Sequence, residues 1–388
     1  MIKKLLMVPL IAVAFFTLTG FDMKDTPEWE SDEYGGDIEG ISATDEAIYI
    51  VGRTTETVQA INPTDGSIIW ESPGFGITIY SISATEEAIY IGGNTAEKLQ
   101  AINPTDGSII WESPAYNGAI YSISATDEAI YIGGSTNTLQ AINPTDGSII
   151  WESPNYGGSI RAISATDEAI YIGGFTIQTV QAINPTDGSI IWESPNYGGA
   201  IEAISATSEA IYIGGRTTET VQAINPTDGS IIWESPNYGG TIDAISATSE
   251  AIYIGGSTTQ TVQAINPTDG SIVWESPDYG GSINAISATD DAMYVGGTTN
   301  TLQAYEMIDP PTFIETVFGV LSGIIIGGIS VLTALFANSA ILSIFYTQAT
   351  ETVSGSLTMV GAITLLTVGF TLTLFGFRFV LNMIKKGG

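Results

Sequence analysis

The chain has 388 residues, 42 Asp plus Glu against 10 Lys plus Arg, and neither Cys nor His. No disulfide, thiolate nucleophile, imidazole metal ligand or Ser/His/Asp triad can be built from it, so an enzyme would depend on carboxylates, Tyr, Lys or a cofactor. A formal charge of −32 argues against a nucleic-acid partner, because the phosphate backbone is read by clustered Lys and Arg.

Residues 1–20 place Lys3 and Lys4 before an apolar run, the pattern of an export signal. The small-residue cleavage pattern is thin (Thr17, Thr19, Gly20), so an uncleaved signal anchor stands beside a cleaved signal peptide.

Residues 21–308 are a repeat. Trp29, Trp70, Trp111, Trp151, Trp192, Trp233 and Trp274 recur every 41 residues, with a single interval of 40. The element Ile-Ser-Ala-Thr occurs seven times, beginning at Ile41, Ile82, Ile123, Ile163, Ile204, Ile245 and Ile286. Each unit divides into four β-prone runs, typified by SIRAIS, AIYIGG, TVQAIN and SIIWES, separated by turn residues that include Asn-Pro-Thr-Asp-Gly. Four antiparallel strands in a unit of this length, repeated seven times, predict an all-β, seven-bladed propeller. Pro27 to Ser31 matches only the fourth run of a unit, and the last unit stops after its third, at Gln303 and Ala304. The N-terminal strand is therefore expected to complete the seventh blade, residues 282–304, and close the ring.

The run Ala141, Asn143, Asp146, Gly147, Trp151, preceded by IYIGG, resembles the repeat of pyrroloquinoline-quinone-type propellers, A-x-D-x-x-T-G-x-x-x-W. It departs in having Asn for the first Asp and Asp for the Thr. The double Gly is also similar to kelch repeats, but the Gly-to-Trp spacing fits the quinone type better. The resemblance implies that the seven Trp dock neighbouring blades. It does not bring the quinone chemistry with it. Dehydrogenases of that family have eight blades, a vicinal Cys pair and a calcium site with a catalytic Asp, and no cofactor residue is matched here. The non-enzymatic branch of the family is expected, without cofactor.

Strand alternation divides the blade loops between two faces. The bottom, with SATDEA and NPTDGS, is nearly unchanged from blade to blade and forms an acidic ring. A hairpin of that length has no room for the six or more oxygens calcium wants, so no metal is expected there. The top varies. One position near the start of the first strand reads Glu39, Tyr80, Tyr121, Arg161, Glu202, Asp243, Asn284, and the residue after the Gly pair varies among Arg53, Asn94, Phe175, Arg216 and small polar residues. Charges buried without partners would cost several kcal/mol, roughly, so these side chains are expected at the mouth of the central channel, where they form the candidate ligand site. Tyr80, Tyr121, Arg161 and Phe175 make its most site-like sector, suited to a glycan or protein ligand.

Beyond the propeller, residues 309–346 are a linker with Pro310 and Pro311 and a first transmembrane segment, 347–356 a loop, 357–384 a second transmembrane segment, and 385–388 a basic tail. Both runs exceed the roughly 20 apolar residues that cross a bilayer and neither has a polar face. If the signal exports the propeller and both runs cross, Lys385 and Lys386 end outside, against the positive-inside rule. A re-entrant first run, a tight hairpin around Asn338 or an exception to the rule each resolves this.

The expected protein is a surface binding module, an adhesin, receptor-binding spike or envelope recognition protein, anchored in the lipid bilayer of a cell or virion envelope with the propeller outside. The alternative is an assembly scaffold whose membrane helices, with Gly319, Gly323 and Gly327 spaced for close packing, are the functional part. No enzyme activity is expected, since the carboxylates are arranged by repetition and nothing pairs an acid with a base.

Overall fold

The computed structural model describes residues 23–94 and 98–307, so the expected export signal and the two apolar C-terminal runs lie outside the described residues. Among the described residues no helix is long and apolar enough to cross a membrane. Regular structure in this region is β throughout, in seven four-stranded antiparallel sheets.

The chain opens with β1 (Trp29–Glu30) and then builds a first blade from β2 (Ile38–Ala43), β3 (Ile48–Gly52), β4 (Val58–Ile61) and β5 (Ile68–Glu71). Strands β6 to β25, from Ile79–Ala84 to Ile272–Glu275, repeat that order in five further blades. The last blade contains β26 (Ile283–Ala288), β27 (Ala292–Gly297) and β28 (Gln303–Glu306), completed by β1, whose Trp29 pairs with Ala304 and Glu30 with Gln303. The closure expected from the sequence is thus the one observed. The exit strand runs two residues further than expected, because Tyr305 is buried at 2% exposure and Glu306 pairs with Ala292.

The core lies between blades. Each of the seven apolar clusters draws on two neighbouring sheets: Tyr49, Val51 and Val58 of the first blade, for example, pack on Ile79, Ile82 and Ile91 of the second. Ile48 and Ile50, alternating with them along β3, face the seventh blade instead. A strand covered on both faces needs apolar side chains at successive positions, which is why IYIVG shows no alternation and is buried at every residue. Each such Ile or Val contributes about 1.5–3 kcal/mol relative to exposure.

Two belts tie the blades together. The inner belt uses the Ser of Ile-Ser-Ala-Thr: Ser42 Oγ accepts from the Ala84 amide at 2.9 Å, and the same bond recurs through Ser83, Ser124, Ser164, Ser205 and Ser246. Ser287 accepting from Ala43 closes it at 3.2 Å. In the outer belt each Trp lies over the Asp-Gly turn of the next blade. Trp111 Nε1 donates to the Pro144 carbonyl at 3.0 Å, and a Cβ on Gly147 would meet the Trp111 ring at 2.5 Å. Trp274 is the exception. The seventh blade has no third-to-fourth turn, because the chain leaves after β28 and returns through β1. The Trp274 indole N–H is buried without a hydrogen-bond partner, and the ring packs edge-on against Tyr305 at 5.7 Å.

The described ends meet on the bottom face. Met23 bridges Met307, whose amide donates to the carbonyl of Asp291 in a first-to-second turn.

Candidate functional site

The variable first-strand residues sit at backbone irregularities. In six of the seven blades, the ladder between first and second strands shifts register at that position, between Ile38 and Gly40, Ile79 and Ser81, Ile120 and Ser122, Ile160 and Ala162, Ile201 and Ala203, and Ile283 and Ala285. A bulge leaves one residue out of the pairing and re-aims its side chain. Here it turns Glu39, Tyr80, Tyr121, Arg161, Glu202 and Asn284 toward the top of the channel. Asp243, in the sixth blade, precedes its strand and reaches the same cavity.

The structure gathers all seven at one mouth. Glu39, Arg53, Arg161, Glu202, Arg216, Asp243 and Asn284 line a cavity of about 430 Å³. An adjoining cavity of about 340 Å³ is lined by Glu39, Arg53, Tyr80, Tyr121, Arg161 and Glu202. Asn94 is exposed and lines neither. Phe175 stands on the rim at 57% exposure, its ring 5.9 Å from the Arg161 guanidinium.

The carboxylates are more covered than a purely solvated mouth would leave them. Glu39 and Glu202 side chains are 14% and 9% exposed, and arginines from the second-to-third loops serve them. Arg53 Nε lies 3.0 Å from Glu39, while Arg216 Nε lies 3.7 Å from Glu202 and 3.5 Å from Asp243. Burial raises the Glu39 carboxyl above the usual range, with the Arg53 charge opposing the shift. Asp243 also accepts from the Thr241 hydroxyl at 2.9 Å.

The other half of the mouth is aromatic and cationic. Tyr80 and Tyr121 form a tilted pair with centroids 5.9 Å apart. Arg53 lies 5.6 Å from the Tyr80 centroid, and Arg161 lies 4.9 Å from that of Tyr121. Charge pairs on one side thus give way to stacked cations and rings on the other.

Sequence reading missed part of the lining. Asp37, Thr241 and Ser282 share the position two residues before the variable first-strand residue and line the larger cavity. Their signal was available, since that position varies as Asp37, Thr78, Ala119, Ser159, Ala200, Thr241 and Ser282.

On the bottom, the turn acids are committed to structure. Asp65 Oδ1 accepts from the Ser67 amide at 3.0 Å and hydroxyl at 2.6 Å, and Asn62 Oδ1 accepts from the Thr64 amide at 2.9 Å. Gly66 follows at φ +72°, a conformation that favours glycine. Among the described residues no group of three or more Asp and Glu is placed to hold a metal ion.

The sequence model of a repeat family described as outer membrane protein assembly factor BamB matches residues 54–218 and 217–309, more than half of the chain. The chain belongs to this family. Its repeats are of the pyrroloquinoline-quinone type that the sequence resembles. No curated protein matches the sequence. Among solved structures, the WD40 β-propeller domain of Doa1 is similar at a TM-score of 0.64 and 14% identity, covering 74% of this chain and 98% of that one. The computationally designed Ika8 protein is similar at a TM-score of 0.57 and 10% identity, covering 73% and 100%. At such identities these likenesses concern the fold alone.

Proposed function

We propose that this protein is an exported, membrane-anchored recognition module that binds its partner through the top face of the propeller and performs no catalysis. The observation that carries the reading is the convergence, at one mouth, of the positions that differ between otherwise near-identical blades. Neutral drift would scatter differences over both faces, yet the bottom turns repeat with little change. The described ends both lie on the bottom, so tethers leaving from them would present the mouth outward. Membership of a family described as an assembly factor is in keeping with a binding role rather than an enzymatic one. The test is capture of the native partner by the full-length protein. Tyr80→Ala with Tyr121→Ala should abolish it, and Asp146→Asn with Asp187→Asn on the bottom should not. The reverse pattern would sink the reading.

The family description is also in keeping with a second reading, an assembly scaffold, in which we place the work in the segments after residue 309. Replacing them with an unrelated anchor separates the two, because a top-face binder survives the exchange and such a scaffold does not.

A further inference from the structure

Cations are rare in this chain, and their placement is uneven. Between residues 23 and 307 the basic residues are Lys24, Arg53, Lys98, Arg161 and Arg216. All three arginines line the mouth. Arg53 and Arg216 are each paired with carboxylates. Arg161 forms no ion pair among the described residues. It is exposed, and its guanidinium lies over the ring of Tyr121 at 4.9 Å and near that of Phe175 at 5.9 Å. Stacking fixes the plane of a guanidinium and leaves its edge, with its fork of N–H donors, free to meet a carboxylate.

Resting on the top-face reading above, we infer that the ligand is a carboxylate-bearing sugar whose acid group is held by Arg161 and whose ring lies against Tyr80 and Tyr121. Three features narrow the class. The cavity of about 340 Å³ is concave and small, suited to one or two sugar rings rather than a flat protein surface. Tyr80 and Tyr121, both partly exposed, give the cavity the apolar aromatic surface against which the C–H side of a sugar packs. The same cavity carries Glu39 and Glu202, on the blades that flank the Tyr80, Tyr121 and Arg161 sector, whose carboxylate oxygens accept hydrogen bonds and so suit ring hydroxyls that donate. A ligand that carries both a carboxylate and donating hydroxyls answers Arg161 and the two glutamates together. The net charge of −32 adds a constraint, because repulsion grows with the ligand's charge and so disfavours a densely charged polyanion far more than a ligand with a single acid.

The experiment compares methyl β-glucuronide, methyl β-glucoside and a short uncharged-ended peptide carrying one Asp, each titrated into the full-length protein at about 0.15 M salt and followed by saturation-transfer NMR. The glucuronide should bind at least about tenfold more tightly than the glucoside, given the strength of charge-assisted hydrogen bonds. Arg161→Gln should erase that preference while leaving near-ultraviolet circular dichroism and thermal unfolding unchanged, and Tyr80→Ala with Tyr121→Ala should remove both sugars. Equal binding of the two sugars, or a preference that survives Arg161→Gln, overturns the carboxylate assignment. Tighter binding of the peptide overturns the sugar class. No binding of any probe to folded protein overturns the inference as a whole. In each of these failures the top-face reading is judged separately, by whether the paired Tyr substitutions abolish capture of the native partner.

Discussion

Gly147 and Gly157 differ by what surrounds them. Both lie at positive φ, +72° and +86°, but a Cβ on Gly147 would meet the Trp111 ring at 2.5 Å, whereas nothing lies within 4 Å of one on Gly157. Gly157→Ala should therefore cost only the left-handed backbone penalty, about 1–2 kcal/mol, and Gly147→Ala more. Urea titration of the two variants checks this, and equal costs would contradict the docking role of the turn glycine. The tyrosines that follow the fourth strand in six of the seven blades, where the first blade has Phe75, are similarly structural. Tyr197 donates its hydroxyl to the Thr220 carbonyl at 2.6 Å, and burial pushes it up to about 12, as it does Tyr279. A phenol whose folded value is raised contributes stability that is complete below the ordinary value of about 10 and is lost as pH rises toward the folded one. Alkaline unfolding is expected in that window, with tyrosinate absorbance appearing together with loss of β circular dichroism. The turn acids have the opposite sign. The Ser67 hydroxyl and amide hold Asp65 below the usual carboxylate range, and the same holds at Asp106, Asp146, Asp187, Asp228 and Asp269. Their contribution is present above about pH 4 and declines as pH falls through the lower folded values.

Between elements, the two belts are not equally complete, and the gap identifies a weak seam. The inner Ser–Ala belt closes all the way round, while the outer belt lacks its bond at Trp274, between the sixth and seventh blades. Trp192 Nε1 donates to the Pro226 carbonyl at 2.9 Å, so Trp192→Phe should cost about 1 kcal/mol or more for the lost bond. Trp274→Phe removes a buried donor that has no partner and should be neutral or slightly stabilising. Similar costs by denaturant titration would contradict the seam. Much of this level was legible beforehand. The spacing of the Trp residues set the blade count, and the mismatch between the Pro27 run and the truncated last unit set the closure. What could not be read was the reason for Ile-Ser-Ala-Thr, because a hydroxyl bonding a backbone amide in the next blade leaves no pattern except its own recurrence. The bulges were equally hidden. Their positions were visible as variation, but the register shift that aims those side chains is a backbone event, compatible with Glu, Tyr, Arg or Asn alike.

At the scale of the molecule, charge dominates. A chain at −32 with few ion pairs among its described residues has much self-repulsion for salt to screen and little attraction for it to weaken. The melting temperature should rise with ionic strength between low salt and about 1 M, and a fall would show that ion pairs matter more than repulsion. The same repulsion keeps six exposed outer strands apart, each carrying apolar pairs such as Ile68 and Ile69, at 43% and 52% exposure. What the ring does with its two faces is the central claim, and cross-linking tests it most directly. A photo-cross-linking side chain is placed at position 121 on the top, or at position 145 on the bottom, of the full-length protein in cells that make it. The account predicts a discrete adduct from position 121 and none from position 145. An adduct from position 145 alone, or none from either, would contradict it.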